Sequence, residues 1–493
     1  MPINLSAYNQ PGVFIEENTW GVIPATLSSH STVYLVGYSP LAGAPKNIPT
    51  FCESKDAFTT IFGTNSASSP IIDAWFTQRT GSGIYFINVD TKPSKTITLA
   101  SVVAATTYTI TVNGFAYSVV ASAVDTPATV IAALTALVNN GSVSVYIDGL
   151  VLKHAATDVV TATNLTLTTV AAPGIPDIND IRQTILRTLD GDLPQGYICA
   201  PEFFKRFTLS SELQLLASAI EGLCSDPNFY WIGLLDCSNA VATSTDFVRA
   251  AQTERALLSS PKGHTSYYAP YLNTSTGVTV PASIYVAATA LRAQRDFGLR
   301  QPPASKLYPL RGVTGVTVAI TKQAQAVINP LGINAIRFFP NAGYCVYGAR
   351  TLSTNKFYRF ILVRLILNIL AGTLENTFDQ LVLTGVDGLG TTFANIKGAA
   401  VTVVERLRQA GALYGSTPDQ AYRVVCDGSN NPSIDLEDGK VAVDVIVVPT
   451  ATLEVMVVRI ARAAIGSTLT ETVTGTVNTN TTSVGTPSVT PKV

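Results

Sequence analysis

Charge is scarce in this chain. Lys, Arg, Asp and Glu make up 13% of its 493 residues and cancel to a net −1, where soluble domains carry about 25% charged residues. Such a bias fits a surface covered by subunit contact, and it also fits the large apolar interior of an enzyme. The near-zero balance excludes the basic field that holds nucleic acid. The lack of any Lys/Arg run argues against docking on an anionic membrane.

Histidine is nearly absent too. The three present, His30, His154 and His264, have no second His or Cys at ligand spacing, so a zinc site is unsupported. No G-x-S-x-G elbow and no P-loop occurs. The six cysteines are scattered without a C-x-x-C pair; most lie in apolar runs, as buried free thiols in a reducing compartment would. Long apolar runs are missing as well. "FILVRLILNIL", 360–370, falls short of the roughly 20 residues of a membrane span and contains Arg364 and Asn368, which share a helical face four residues apart. It reads as a core or interface helix. "MPINLSAYNQ" has no basic region followed by an apolar core, so no secretory signal is expected there.

What is present is a long series of alternating elements. "PGVFIEEN", 11–18, is a lone strand ahead of anything resembling a domain. "STVYLVGYSP" is a buried strand, "ESKDAFTTIFG" and "PIIDAWFTQRTGSG" are helices and "IYFINVD" is a strand, which together predict an α/β layer. Composition then shifts to Thr, Val, Ala and Ser. "TYTITVNGFAYSVVAS" alternates across Asn113-Gly114, a strong hairpin signal. A helix follows with Thr126 as N-cap and Pro127 in its first turn, then a second hairpin at Asp148-Gly149. This small α+β module has the look of an insertion. "PGIPDINDI" reads as a linker, after which a βαβαβα series predicts a mainly parallel sheet with helices on its faces. The last part has two long helices, the second carrying Val404, Leu407, Gly411 and Tyr414 on one face, and three strand candidates, "AYRVVCD", "KVAVDVIVVP" and "LEVMVVRIA". The closing stretch is polar and cannot bury a core alone.

Three features invite a chemical reading. "VDGLGTTF" is glycine-rich but lacks the lysine and the preceding strand of a phosphate cradle, so it is read as a loop. "SIDLEDG" clusters Asp435, Glu437 and Asp438 without the alternation of a calcium loop. Asp236 closes a strand where α/β enzymes often place acids, and His264 follows on the next element, yet no serine stands in a strained turn. No catalytic residue, metal or cofactor is expected.

Four blocks in order carry a resemblance: "PGVFIEE", "ASIYVAATALRAQRDFGLRQPPAS", "LGINAIRFFPNAGYCVYGARTL" and "RLRQAGALYGSTPDQAYRVVCDGSNNPSIDLEDGKVAVDVIVVP". Across roughly 10–90 and 175–465 the chain resembles the tail sheath proteins of contractile bacteriophages and related contractile injection systems. It departs from the usual pattern at Ala282, where a proline is common, at Tyr347, where a tryptophan is common, and at Leu365, where a second arginine is common. The stretch after the first long helix also differs.

The resemblance implies an α/β and α+β multidomain chain. Its parts would be an N-terminal linker arm (1–20), a first part of an α/β sheath core (21–90), an inserted β-rich surface module (91–172), a subtilisin-like α/β middle domain without catalytic residues (173–347), an α+β C-terminal domain completed by exchanged strands (348–467) and a polar extension (468–493). It implies a structural, non-enzymatic subunit that stacks as six-fold rings around a tail tube and contracts to drive the tube through a cell envelope. Val13, Phe14, Ile15, Glu16 and Glu17 would pair with a neighbouring copy, as would Leu453, Val455, Val457 and Arg459; the second stretch also reads as an ordinary last strand or helix. Arg406 and Arg408 are candidates to face an acidic tube, or else a solvated helix face. Expected partners are further copies of the chain, the tube protein, and baseplate and tail terminator proteins, without nucleic acid or direct membrane insertion. The expected place is the virion tail, assembled in the host bacterial cytoplasm. A non-contractile shell and a degenerate α/β hydrolase are the competing readings.

Overall fold

The computed structural model describes residues 27–456 apart from 142–144, 149, 155–157, 171–175, 188–192, 227–228, 383, 389 and 438, together with 468–469 and 489–490. Val13–Glu17, Val457 and Arg459 lie outside the described residues. The chain divides into two compact units, Met1–Ala451 and Thr452–Val493.

The first unit begins with β1 (Thr32–Gly37), β2 (Pro49–Cys52), α1 (Lys55–Phe62), α2 (Ser69–Thr77) and β3 (Ile84–Asn88). An inserted module follows: β4 (Ser94–Thr98), β5 (Thr107–Val112), β6 (Phe115–Val120), α3 (Pro127–Gly141), β7 (Tyr146–Asp148), β8 (Val151–Lys153), β9 (Val160–Thr163) and β10 (Thr166–Val170). The α/β series then resumes with α4 (Ile178–Arg187), β11 (Gly196–Cys199), α5 (Pro201–Arg206), α6 (Ser210–Ser225), β12 (Ile232–Asp236), α7 (Asn239–Ala242), α8 (Phe247–Arg255) and β13 (Thr265–Ala269). After a small sheet of β14 (Leu272–Thr274), β15 (Thr279–Val280) and β16 (Val313–Val316) come α9 (Ser283–Phe297), α10 (Lys322–Ile328), β17 (Ile333–Phe339) and β18 (Gly343–Val346).

Strands from both sides of the insertion join one eight-stranded sheet, in the order β18-β17-β13-β12-β11-β1-β3-β2. The six inner strands are parallel; the two edge strands run antiparallel to their neighbours. Alternation along each strand sends side chains to opposite faces. Val33, Leu35, Phe86 and Leu234 enter one apolar cluster with α1, α2, α9 and the C-terminal helices. Tyr34, Val36, Ile198 and Leu235 enter another with α4, α5, α6 and α8. Phe86 packs edge-on against Phe58 and Phe62, at 5.0 and 4.7 Å between ring centres, and Trp231 stacks on Tyr34 at 4.2 Å. Burial on both faces explains why these strands read as continuous apolar runs.

The stretch read as a linker, "PGIPDINDI", ends inside a helix. Asp177 accepts hydrogen bonds from the Asn179 and Asp180 amides at 2.9 and 3.0 Å and so starts α4. The module matches its reading more closely: β5 and β6 pair across Asn113-Gly114, and both turn residues have positive φ, 51° and 90°. Its own core gathers Tyr108, Ile110, Val130, Leu134 and Leu152.

The rest of the first unit holds α11 (Ile361–Phe378), α12 (Thr391–Gln409), α13 (Pro418–Ala421), β19 (Tyr422–Val425), α14 (Ser433–Glu437) and β20 (Asp444–Val447). With the turn that follows it, α11 reaches Leu381 and is long and apolar enough to cross a membrane, longer than the apolar run at 360–370 suggests. Leu362, Leu365, Ile366 and Ile369 are nonetheless buried in the core. The second long helix stops at Gln409, before the face expected to continue through Gly411 and Tyr414. Gly411 takes a φ of 75° and ends it, and Tyr414 is exposed beyond.

Candidate functional site

The carboxyl edge of the large sheet is where α/β enzymes place their chemistry. Here Asp236, the last residue of β12, accepts the Ser283 amide at 2.7 Å and the Ser283 hydroxyl at 2.5 Å. It therefore caps α9, whose own N-cap residue Ala282 offers no side-chain oxygen. Burial pushes the Asp236 carboxyl up to about 7, against the Ser283 and Ala282 donors that favour its ionised form.

Beyond the end of the neighbouring strand β11, Glu202 accepts the Ser68 hydroxyl at 2.5 Å and the Tyr38 amide at 3.0 Å. A Cβ on Gly37 would lie 2.1 Å from the Ser68 Oγ, so only glycine permits this approach. A cavity of about 510 Å³ opens here, lined by Tyr38, Ile71, Glu202, Lys205 and Val280 among others. Its cations are tied to the walls: Lys205 donates to the Thr279 carbonyl at 2.6 Å, and Arg206 donates to the Pro176 carbonyl while lying over Phe203 and Phe207.

The serine that the sequence did not reveal thus meets Asp236, but His264 does not. Thr265 pairs with Gly233, so His264 stands level with the first residue of β12 and Asp236 is its last. Four residues of strand, about 13 Å, separate the two. His264 instead sits 3.4 Å from the Arg364 guanidinium, and burial with that cation holds it down at about 4. His30 packs edge-on against Tyr197, and burial lowers it to about 3. His154 belongs to the module. No histidine joins Asp236 and Ser283, so no Ser-His-Asp relay is assembled, and the pair caps α9.

The polar face of α11 is structural as well. Asn368 donates to the Tyr230 and Trp231 carbonyls at 2.9 and 3.2 Å, which closes the start of β12. "VDGLGTTF" proves to be the entrance to α12: Asp387 accepts the Thr391 and Thr392 amides and the Thr392 hydroxyl, which hold it down at about 2. Asp435 and Glu437 fall in the short helix α14. Among the described residues no group of three or more His, Cys, Asp or Glu is close enough to hold a metal ion. All six cysteines are buried and unpaired.

A different kind of site lies in the C-terminal part. β19 and β20 pair antiparallel over four residues, Tyr422 with Val447 through Val425 with Asp444. Tyr422, Val424, Val445 and Val447 turn inward, over the Val403, Val404 and Leu407 stripe of α12. Arg423 and Ile446 turn outward and are exposed. Among the described residues this sheet has two strands only. Two such strands are marginal alone, and their outer edges expose unpaired backbone groups.

Arg406 and Arg408, on the last turn of α12, are separated by about 200° of helix. Arg408 grips Glu405 through two bonds of 2.6 and 2.8 Å; Glu405 also accepts Gln409 and the Tyr422 hydroxyl, and these donors hold it down at about 2. Arg406 is the exposed one of the two. In the second unit, Leu453 and Val455 have no regular structure and are 73% and 72% exposed. Thr468–Leu469 pairs with Val489–Thr490 in a short antiparallel ladder.

No protein-family model and no curated protein matches the sequence. Solved structures do. A chain of the anti-feeding prophage baseplate is 17% identical, with a TM-score of 0.57 over 93% of this chain and 100% of its own. The sheath of an extracellular contractile injection system, PVC, in its contracted state is 15% identical, with a TM-score of 0.58 over 92% and 98%. The contracted helical sheath of the anti-feeding prophage is 18% identical, with a TM-score of 0.56 over 92% and 99%. A mixed α/β multidomain chain with no assembled catalytic centre among its described residues matches these along nearly their whole length: it has the fold of contractile injection system sheath proteins.

Proposed function

We propose that this chain is a sheath subunit that stacks as six-fold rings around a tail tube and contracts to drive the tube through a cell envelope. The observation that carries the reading is the sheath fold over more than nine-tenths of the chain, joined to a C-terminal sheet of only two described strands. In this reading the large sheet is a subtilisin-type layout that has no catalytic residues. Val13–Glu17 of one copy adds to the β19–β20 sheet of another, and Leu453–Arg459 supplies a second strand. Each added backbone hydrogen bond contributes roughly 0.5–1.5 kcal/mol, so a strand the length of Val13–Glu17 supplies a few kcal/mol at every subunit.

Links of this kind survive while the domains behind them reorient, as a bistable lattice requires. Rings would meet the baseplate at one end and the terminator at the other, and Arg406 would face the tube. The particle would be a virion tail or tail-like device assembled in the bacterial cytoplasm.

Negative-stain microscopy of purified protein tests the reading. Tubes of two lengths and diameters support a contractile sheath. Tubes of one fixed pitch favour a non-contractile shell, and monodisperse particles at all concentrations contradict assembly.

A further inference from the structure

The root of the inserted module contains a lysine with no exposed side-chain surface. Lys153, the last residue of β8, places its ammonium 2.7 Å from Asp177 and 3.2 Å from Asp180, whose own side chain is equally buried. The same ammonium reaches the Lys92 carbonyl at 3.4 Å, and the Lys92 amide donates to Asp180 at 3.4 Å. Three pieces of chain therefore meet in one knot: the segment leading from β3 into the module, a strand of the module, and the first turn of α4 behind it. α4 is anchored in the body, because Ile178, Ile181 and Ile185 pack with Leu216, Ile220 and Leu223 of α6. The module itself has a separate apolar core, and none of its described strands joins the large sheet.

We propose that Lys153, Asp177 and Asp180 form a charge-operated latch: closed, it fixes the module to the body, and when its balance is broken the module's root opens as a unit while the body stays folded. The physics is that of a buried ion group. Asp180 is fully buried while Asp177 keeps about two-fifths of its side chain in water, and one buried ammonium offsets both carboxylates. Without the ammonium they repel, and water must reach the buried Asp180 to solvate it. Opening the root admits that water without disturbing either apolar core. The surrounding charges are Arg206 of α5, which acts on Asp177 and bonds the Pro176 carbonyl, the Lys46–Asp90 pair two residues before Lys92, Arg182 on α4, and Lys92 and His154 beside the knot. Burial and the neighbouring Asp177 push Asp180 up to about 6. Because this is above the ordinary carboxylate value, mild acid adds a proton to the closed form and favours closure.

Hydrogen exchange and limited proteolysis of the full-length chain test the latch. The Lys92 and His154 amides report the root, and the Leu234 and Leu235 amides report the body. In Lys153→Met the root amides are expected to exchange about tenfold faster or more at pH 7.5, with the body unchanged. Adding Asp180→Asn, or lowering the pH to 5.5, is expected to return most of the protection. Root exchange at the wild-type rate overturns the proposal, and so does equal loosening of root and body, which would make the knot a general keystone. Should Lys153→Met give no soluble protein, Asp180→Asn alone is read at the same amides at pH 7.5, where it stands in for the protonated carboxyl: slower root exchange over an unchanged body supports the latch, and root exchange at or above the wild-type rate overturns it.

Discussion

Eight strands share the large sheet, and two described strands share the sheet of β19 and β20. The first is covered on both faces by helices and closes its own polar ends: Asp236 caps α9, and Asn368 closes the start of β12. The second is covered on one face by α12 and leaves Ile446 and Val448 in solvent. Both obey the same rule, that strand backbone must find partners. The large sheet satisfies it within one chain. The small sheet has edges that further strands can extend, which is the physical reason to expect a neighbour there.

The contrast breaks most sharply at the N-terminal arm. Deleting residues 1–20 is expected to abolish tube formation by microscopy and leave the thermal midpoint of the monomer unchanged, as the loss of a strand that pairs with another copy would. A truncated chain that still forms tubes removes the arm from the account. Within the body, Phe86→Ala empties the centre of the Phe58–Phe62–Phe86 cluster and should cost about 3–5 kcal/mol in urea unfolding. Tubes would then be lost only where the fold is lost.

A pH series sharpens the same comparison. His30 is held near 3, below its ordinary 6.5, so the unfolded chain takes the proton first. Its contribution to stability is full above pH 6.5 and is lost as pH falls toward 3, by up to about 1.4 kcal/mol per pH unit. Asp236 has the opposite sign: raised to about 7, it contributes fully below 3.8 and loses that contribution as pH rises through 7. His30→Phe keeps a ring against Tyr197 and should gain stability relative to wild type steadily from pH 6.5 to pH 4. A constant difference across that range would contradict the assignment. The smallest effect on the fold is expected at α12: reversing Arg406 to Glu should leave the thermal midpoint unchanged and, if the tube is acidic, reduce tube co-assembly. Unimpaired co-assembly would return Arg406 to a solvated face.

Much of the body was legible because its signals are local. The Val33–Val36 run, the Asn113-Gly114 turn and the Thr126 cap each depend on a few adjacent residues, and each appears where the sequence places it. What could not be read depends on distant partners. Asp177 looks like a loop residue until the Asn179 and Asp180 amides close on it and Lys153 arrives from another strand. The Asp236–Ser283 bond joins residues 47 positions apart, and no local pattern pairs them. Apolar spacing that continues to Tyr414 predicts a longer α12, whereas Gly411 turns the chain and ends it. Of the assembly residues, only Arg406, Arg408, Leu453 and Val455 fall in described structure, and their roles depend on surfaces that one chain does not contain.

The measurement that bears most directly on the account is a near-atomic map of the assembled particle, read at the edges of β19 and β20. The account predicts backbone hydrogen bonds there to Val13–Glu17 of another copy, present at both lengths of the tube. A map in which Val13–Glu17 pairs within its own chain, and no strand crosses between copies, would contradict it.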